Sequence, residues 1–183
     1  MVKVIENIFE PELYITLKNL FFSNELSWYY NTFTVTYFDG DGNDTDVPKD
    51  DNFMFTHKFL EYQDDIPVIS PYYVKYINLT LLPIRNALGF SEHLEILRIK
   101  ANMYTNQGKV ISMAPHTDFP AITTPYDTLI FHVNENNGCT VIGDTIIPSK
   151  ANQLIAFDGT CEHYGTTQTD EKVRIVVNYN IKK

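Results

Sequence analysis

From Glu95 onward the chain is written almost wholly in strand code, and the alternation within its strands limits the fold more than any other feature. Over 95–104, Leu97, Ile99, Ala101 and Met103 fall on one face and Arg98, Lys100, Asn102 and Tyr104 on the other, because successive side chains of a strand point to opposite sides. Over 126–134, Leu129, Phe131 and Val133 oppose Ile130, His132 and Asn134. Over 173–181, Val173, Ile175, Val177, Tyr179 and Ile181 oppose Arg174, Val176, Asn178 and Asn180. The second face of these strands is polar without being simply charged. Two sheets packed with such faces toward each other would line a wet cavity. Shorter strands at 139–142 and 145–147 flank Gly143-Asp144, a two-residue hairpin signal, and 153–157 reads as a buried strand.

The first ninety residues carry the helices. Residues 1–9 read as an opening strand, and Pro11 suits a first helical position, where its missing N–H costs nothing. Leu13, Leu17, Leu20 and Phe21 follow at helical spacing, ending near Ser23. Residues 28–38 read as a strand. Ser70 and Pro71 open a second helix with an apolar stripe of Val74, Ile77, Leu81, Ile84 and Leu88, and Gly89 stops it. Pro83 predicts a kink or break within it. Residues 39–51 hold six Asp, two Gly and one Pro. A calcium loop of the EF-hand type would need glycine where Asp44 stands and a closing Glu, so a solvated loop is expected instead. With about eight short strands after two helices, the expected class is mostly β: a double-stranded β-helix (jelly roll) with N-terminal supporting helices, α+β overall.

At 183 residues the chain suits a single domain over 1–183. Its net charge of −9 argues against broad binding to a nucleic-acid backbone. No apolar run is long enough to span a membrane, and the amino end lacks the pattern of a signal peptide. Cys139 and Cys161 are the only cysteines and lack a zinc spacing, so both are expected to be buried free thiols in a cytoplasmic protein.

The chemistry concentrates in Pro115-His116-Thr117-Asp118 and in His163, forty-five residues past Asp118. His116 and Asp118, at i and i+2 on an extended segment, point the same way. Two imidazoles and one carboxylate are the ligand set of a facial triad, which holds Fe(II) and leaves positions open for cosubstrate and oxygen. Arg174, eleven residues further, is a fixed cation with a planar fork suited to a carboxylate. His57 has no carboxylate or second His at ligand spacing and reads as structural or as a residue near a substrate mouth. His93 has no evident partner.

Together with Asn102-Met103-Tyr104, Phe157-Asp158-Gly159, His163-Tyr164-Gly165 and the run 174–179, these motifs make the chain resemble the Fe(II)- and 2-oxoglutarate-dependent oxygenases, in their prolyl-hydroxylase-like branch, over about residues 95–181. The resemblance implies Fe(II) on His116, Asp118 and His163, and 2-oxoglutarate as cosubstrate with Arg174 on its distal carboxylate. It implies hydrogen bonds to the cosubstrate from Tyr104 and Asn102, although the interval from Tyr104 to His116 is two or three residues longer than the family's. His132 matches a position where some prolyl hydroxylases place a Tyr that touches the same carboxylate; it reads equally as an ordinary cavity residue. Related halogenases lack the carboxylate ligand, so Asp118 favours hydroxylation.

The implied partners are 2-oxoglutarate, oxygen and an unidentified substrate, a peptidyl proline or a small molecule. The alternatives are a non-catalytic jelly-roll binding module and a cupin-like metal enzyme without 2-oxoglutarate.

Overall fold

The computed structural model describes residues 1–38, 44–50, 52–63, 66–90, 94–119 and 124–183, with backbone alone over 37–38 and 44–48. Its largest unit is an eight-stranded antiparallel sheet. In spatial order it runs β1 (Lys3–Glu6), β11 (Gln153–Asp158), β8 (Tyr126–His132), β13 (Val173–Lys182), β7 (Ile96–Thr105), β5 (Met54–Gln63) and β2 (Tyr29–Asn31), with β6 (Ile66–Ile69) also paired to β5. Facing it is a small sheet of β10 (Thr145–Pro148), β9 (Cys139–Ile142) and β12 (His163–Gly165). β3 (Thr36–Phe38) and β4 (Asp44–Pro48) form a separate ribbon.

The period-two pattern divides the apolar residues between two clusters. Leu129, Phe131, Val133, Ile175, Val177 and Tyr179 join the helix-side core, where they meet Leu17, Leu20 and Phe21 of α1 (Pro11–Phe22) and Ile84 of α2 (Asn78–Leu88). Ile130, Val176, Ile155, Phe157 and Tyr104 point the other way and pack with Ile142 and Ile147 of the small sheet. β11 contributes to both, which is why it reads as one continuous apolar run. Phe9 meets Phe131 edge-on at 4.8 Å. Two phenols fix the helices to the sheet: Tyr14 donates to the Val133 carbonyl at 3.0 Å, and the Tyr179 hydroxyl lies 3.1 Å from that of Thr80.

Several expectations hold in detail. Pro11 begins α1, Ser23 caps it, and Gly89 ends α2 in the left-handed region at φ 72°. The Gly143-Asp144 hairpin pairs Thr145 with Ile142.

Others need correction. Leu97 lies outside the core cluster, which takes Ile96 instead. β13 pairs Asn180 with Arg98 and Ile181 with Ile96, so a bulge at Leu97 shifts the alternation by one residue. The strand expected over 28–38 is two short strands, β2 and β3. Part of the acidic segment expected as a loop, 44–48, pairs with β3 as β4; residues 39–43 and 51 and His93 lie outside the described residues. α2 runs unbroken through Pro83, and the irregularity falls upstream, in a π turn over Tyr73–Ile77. Cys139 and Cys161 are free, as expected, but half-buried. No helix among the described residues is long and apolar enough to cross a membrane.

The end of β11 closes over Tyr126, whose hydroxyl donates to the Gly159 carbonyl at 2.7 Å. A Cβ at Gly159 would fall on the Tyr126 ring, which is buried. Gly159→Ala should therefore destabilise the protein by about 2–3 kcal/mol through overpacking, read as a lower urea midpoint with an unchanged slope. An unaltered midpoint would show that this corner relaxes freely.

Candidate functional site

His116 and His163 are brought together by the backbone. The His116 N–H donates to the His163 carbonyl at 3.1 Å, and the His163 N–H returns a bond to His116 at 2.9 Å. A second bridge joins Ser112 to Thr166, so the segment 112–116 extends the small sheet beside β12. In such a directly paired couple the side chains project from the same face, and the two imidazole centroids stand 4.7 Å apart. Asp118, two residues on, brings its Oδ2 to 3.9 Å from His163 Nε2. One ligand atom from each of His116, Asp118 and His163 lies within 4.8 Å of the others.

The hydrogen bonds around the triad leave its free lone pairs pointing inward. His116 Nδ1 lies 3.2 Å from the Ala114 carbonyl, and His163 Nδ1 3.3 Å from that of Cys161. A carbonyl only accepts, so each Nδ1 carries the hydrogen and each Nε2 of the neutral ring keeps its lone pair. His163 Nε2 is fully buried and has no partner among the described residues, a costly arrangement for a group with nothing to bind.

Asp118 is held at both oxygens. Arg98 Nη2 donates to Oδ1 at 2.5 Å, and Asn180 Nδ2 donates to Oδ2 at 2.8 Å. Burial alone would raise the Asp118 carboxyl, but the facing charges, Arg98 first, outweigh it and hold it well below the usual carboxylate range. Two imidazole Nε2 atoms facing an ionised carboxylate are what a divalent metal such as Fe(II) requires, and these residues fit one.

Arg174 lies further along the same cavity, 1% exposed. Its Nε donates to Ser149 at 2.8 Å and its Nη2 to the Thr140 hydroxyl at 2.9 Å, while Tyr104 lies beneath the guanidinium with its ring centre 5.7 Å away. Burial pulls its pKa down, yet a guanidinium stays charged in proteins. No described carboxylate pairs with it. Two glycines make its space: a Cβ at Gly138 would come 2.9 Å from the Arg174 Cδ, and one at Gly165 3.0 Å from its Nη1. Gly165 follows His163 by two residues, about 7 Å along β12. The guanidinium and the triad are thus separated by roughly the length of a five-carbon diacid.

The cavity is lined by residues of both sheets. Tyr104 and Asn102 line it, as expected, with Tyr104 directly opposite Arg174 in the sheet and Asn102 opposite Val176. His132 does not reach the wall. It is 0% exposed, and its Nε2 lies 3.0 Å from the hydroxyl of Thr140, which stands between it and the cavity. Burial first, then the Arg174 charge, keeps this imidazole neutral. His57 is structural: Nδ1 donates to the Ser27 carbonyl and Nε2 accepts from Ser70, both at 2.8 Å.

Residues not singled out from sequence complete the site. Arg98 and Asn180 hold Asp118, Thr140 and Ser149 hold Arg174, and Lys100 lines the cavity beside the triad. Arg98, Lys100 and Asn180 all belong to the polar face that the alternation identifies; what the pattern lacks is the cross-strand register that gives each a partner.

No family model matches the chain, and no curated protein matches it. Solved structures do. An oxidoreductase of the 2OG-Fe(II) oxygenase family from Burkholderia pseudomallei superposes with a TM-score of 0.71 at 11% identity, covering 99% of this chain and 84% of that one. A prolyl hydroxylase from Trichoplax adhaerens, in complex with a hypoxia inducible factor peptide fragment, gives 0.60 at 10% identity over 99% and 83%. SnoK, a non-heme alpha-ketoglutarate-dependent carbocyclase from nogalamycin biosynthesis, gives 0.63 at 9% identity over 100% and 79%. The fold is therefore the jelly roll of the 2OG-Fe(II) oxygenases, the class that the sequence motifs resemble. At these identities the similarity extends to the fold alone.

Burial, and next the His163 ring, push the His116 imidazole down to about 4. The unfolded chain takes up that proton near pH 6.5 and the folded chain only near 4, so protonation favours unfolding between the two. In chelator-treated protein, stability should be full above pH 6.5 and fall by roughly 3 kcal/mol as pH drops toward 4. Urea unfolding at several pH values should show this slope in the wild type and a shallower one in His116→Asn. Equal slopes would contradict the assignment.

Proposed function

We propose that this protein is an Fe(II)- and 2-oxoglutarate-dependent oxygenase that hydroxylates a C–H bond of a small molecule or a peptidyl proline. One observation carries the reading: a buried guanidinium without an anionic partner among the described residues shares a cavity with a two-histidine, one-carboxylate set. Burying a charge without compensation is expensive, and a dicarboxylate reaching from Arg174 toward the triad removes that cost.

His116, Asp118 and His163 would hold Fe(II) through the two Nε2 atoms and Asp118 Oδ2. When bound, iron with 2-oxoglutarate and oxygen supplies the oxidative decarboxylation that gives succinate and carbon dioxide and the oxidising power for the C–H bond.

The protein's own groups bind, orient and exclude. Arg174 receives the distal carboxylate in a bidentate fork, its Nε and Nη2 already fixed by Ser149 and Thr140. Tyr104, below the guanidinium, offers its hydroxyl to the same carboxylate, and Asn102 offers its amide one pair of residues closer to the triad. His132 acts through Thr140. Arg98 engages Asp118 Oδ1, which leaves Oδ2, oriented by Asn180, as the oxygen that would hold a metal. Met113, Ile130, Ile142, Phe157 and Val176 pack around the polar groups and keep bulk water from the reacting centre. Asp118 completes the ligand set that halogenases lack, and a prolyl hydroxylase is among the similar structures; both are in keeping with hydroxylation.

The test is release of carbon dioxide from 2-oxoglutarate labelled at C1, with Fe(II) and without added substrate. Wild type should release label at a slow, iron-dependent rate. Arg174→Met should raise the half-saturating concentration of 2-oxoglutarate by roughly 30-fold or more, since hydrogen bonds to a charged group contribute about 1.5–3 kcal/mol each. An unchanged concentration dependence would show that Arg174 does not hold the cosubstrate; iron binding with no release would point to a metal enzyme that does not use 2-oxoglutarate, and neither iron binding nor release to a binding module.

A further inference from the structure

Among the described residues, Lys100 is the one basic side chain lining the triad's cavity that the proposed reaction leaves without a task. It stands on the cavity face of β7, opposite Asn178 of β13 and Lys58 of β5. The neighbouring cations are matched: Lys58 pairs with Glu61 at 2.6 Å, and Arg98 with Asp118. The Lys100 amine makes no hydrogen bond and no ion pair with any described residue, although the side chain is only partly exposed. Asn178 and Asn102 share its face, each 5% exposed, and the Oδ1 of each is buried without a partner. Three polar side chains on one wall thus lack partners, in a protein whose net charge is −9. Unpaired buried polar groups are rare unless something binds them.

The position of Lys100 and Asn178 separates them from Arg174, the anchor of the cosubstrate. Arg174 pairs with Tyr104 and Asn178 with Lys100, so the two cations stand four residues apart along the sheet, about 13 Å. Asp118 is held one pair further on, by Arg98 and Asn180, so Lys100 stands on the wall beside the triad and away from the anchoring guanidinium. Beyond Lys100 the cavity opens into a second groove shared with Thr34, Thr56, Lys58 and Thr117. The amine therefore faces the side from which a substrate enters.

We infer that Lys100 is an anchor for an anionic group of the substrate, a carboxylate or a phosphate carried on the molecule to be oxidised, with the Asn178 amide as a second donor to it. The inference rests on the oxygenase reading and narrows its substrate class to acidic molecules. A neutral peptide segment would leave the amine unpaired. An acid held by Lys100 places its neighbouring carbons next to the triad, and a hydroxyl or amine on the same molecule can donate to the free oxygens of Asn102 and Asn178. A single contact of this kind also fixes which carbon is presented, as Arg174 does for the cosubstrate.

The experiment observes Lys100 directly. Protein labelled with ¹³C and ¹⁵N in lysine is loaded with Zn(II), which is diamagnetic, and saturated with 2-oxoglutarate. The Lys100 side-chain signal is identified by its loss in Lys100→Met. Acetate, inorganic phosphate and, as the neutral control, acetamide are then added in turn. The expected result is a saturable shift of that signal with acetate or phosphate and none with acetamide, the stronger of the two anions naming the group. Asn178→Leu should weaken the effect by about tenfold. A signal that responds to neither anion overturns the inference. So does one that moves fully on 2-oxoglutarate alone, because Lys100 then serves the cosubstrate. Failure of the oxygenase reading is seen separately, as 2-oxoglutarate that does not bind the metal-loaded protein.

Discussion

The site depends on one antiparallel backbone pair. His116 and His163 exchange hydrogen bonds of 3.1 and 2.9 Å across the edge of the small sheet, and this contact sets two rings that are 47 residues apart in sequence side by side. Asp118 follows from it, because a carboxylate two residues past His116 on an extended segment faces the same way. The geometry is written in main-chain bonds, so it is insensitive to side-chain packing elsewhere. The side chains then finish it: carbonyls of Ala114 and Cys161 choose the tautomers, and Arg98 and Asn180 hold the carboxylate.

The main sheet supplies the second half by facing two ways at once. Its odd-numbered residues on β8 and β13 bury Leu129, Phe131, Ile175, Val177 and Tyr179 against the helices. That leaves the even-numbered face free to carry Arg174, Asn178 and Asn180 into the space between the sheets. A polar interior of this kind is unfavourable to folding on its own. The protein keeps it tolerable by giving Arg174 two neutral hydroxyls and an aromatic face, which satisfy its hydrogen-bonding geometry without neutralising its charge. The residual charge is what would favour an anion in the pocket.

Much of this was legible in the sequence because strand alternation is a strict code. The alternation gives the two faces of 126–134 and 173–181 residue by residue, and ligand type and order mark His116, Asp118 and His163. The limits are equally physical. A bulge at Leu97 costs one residue of register and leaves no mark in composition. Pro83 signalled a break, yet the helix runs on through it and the irregular turn lies upstream. His132 was assigned to the polar face correctly, but Thr140, from the opposing sheet, comes between it and the cavity. Which residue of one sheet covers which residue of the other is decided by packing between layers, and no local pattern records it. The same holds for Arg98, whose partner Asp118 lies on a separate segment.

The most direct measurement is an anaerobic titration of purified protein, first with Fe(II) and then with 2-oxoglutarate, following the visible charge-transfer absorption of a 2-oxoacid chelated to iron. If His116, Asp118 and His163 hold iron on the cavity that ends at Arg174, the band appears only when both are present and saturates at one iron per chain. It is absent in His163→Ala. A folded protein that binds iron with no band on adding 2-oxoglutarate, or a band that survives His163→Ala unchanged, would contradict the account.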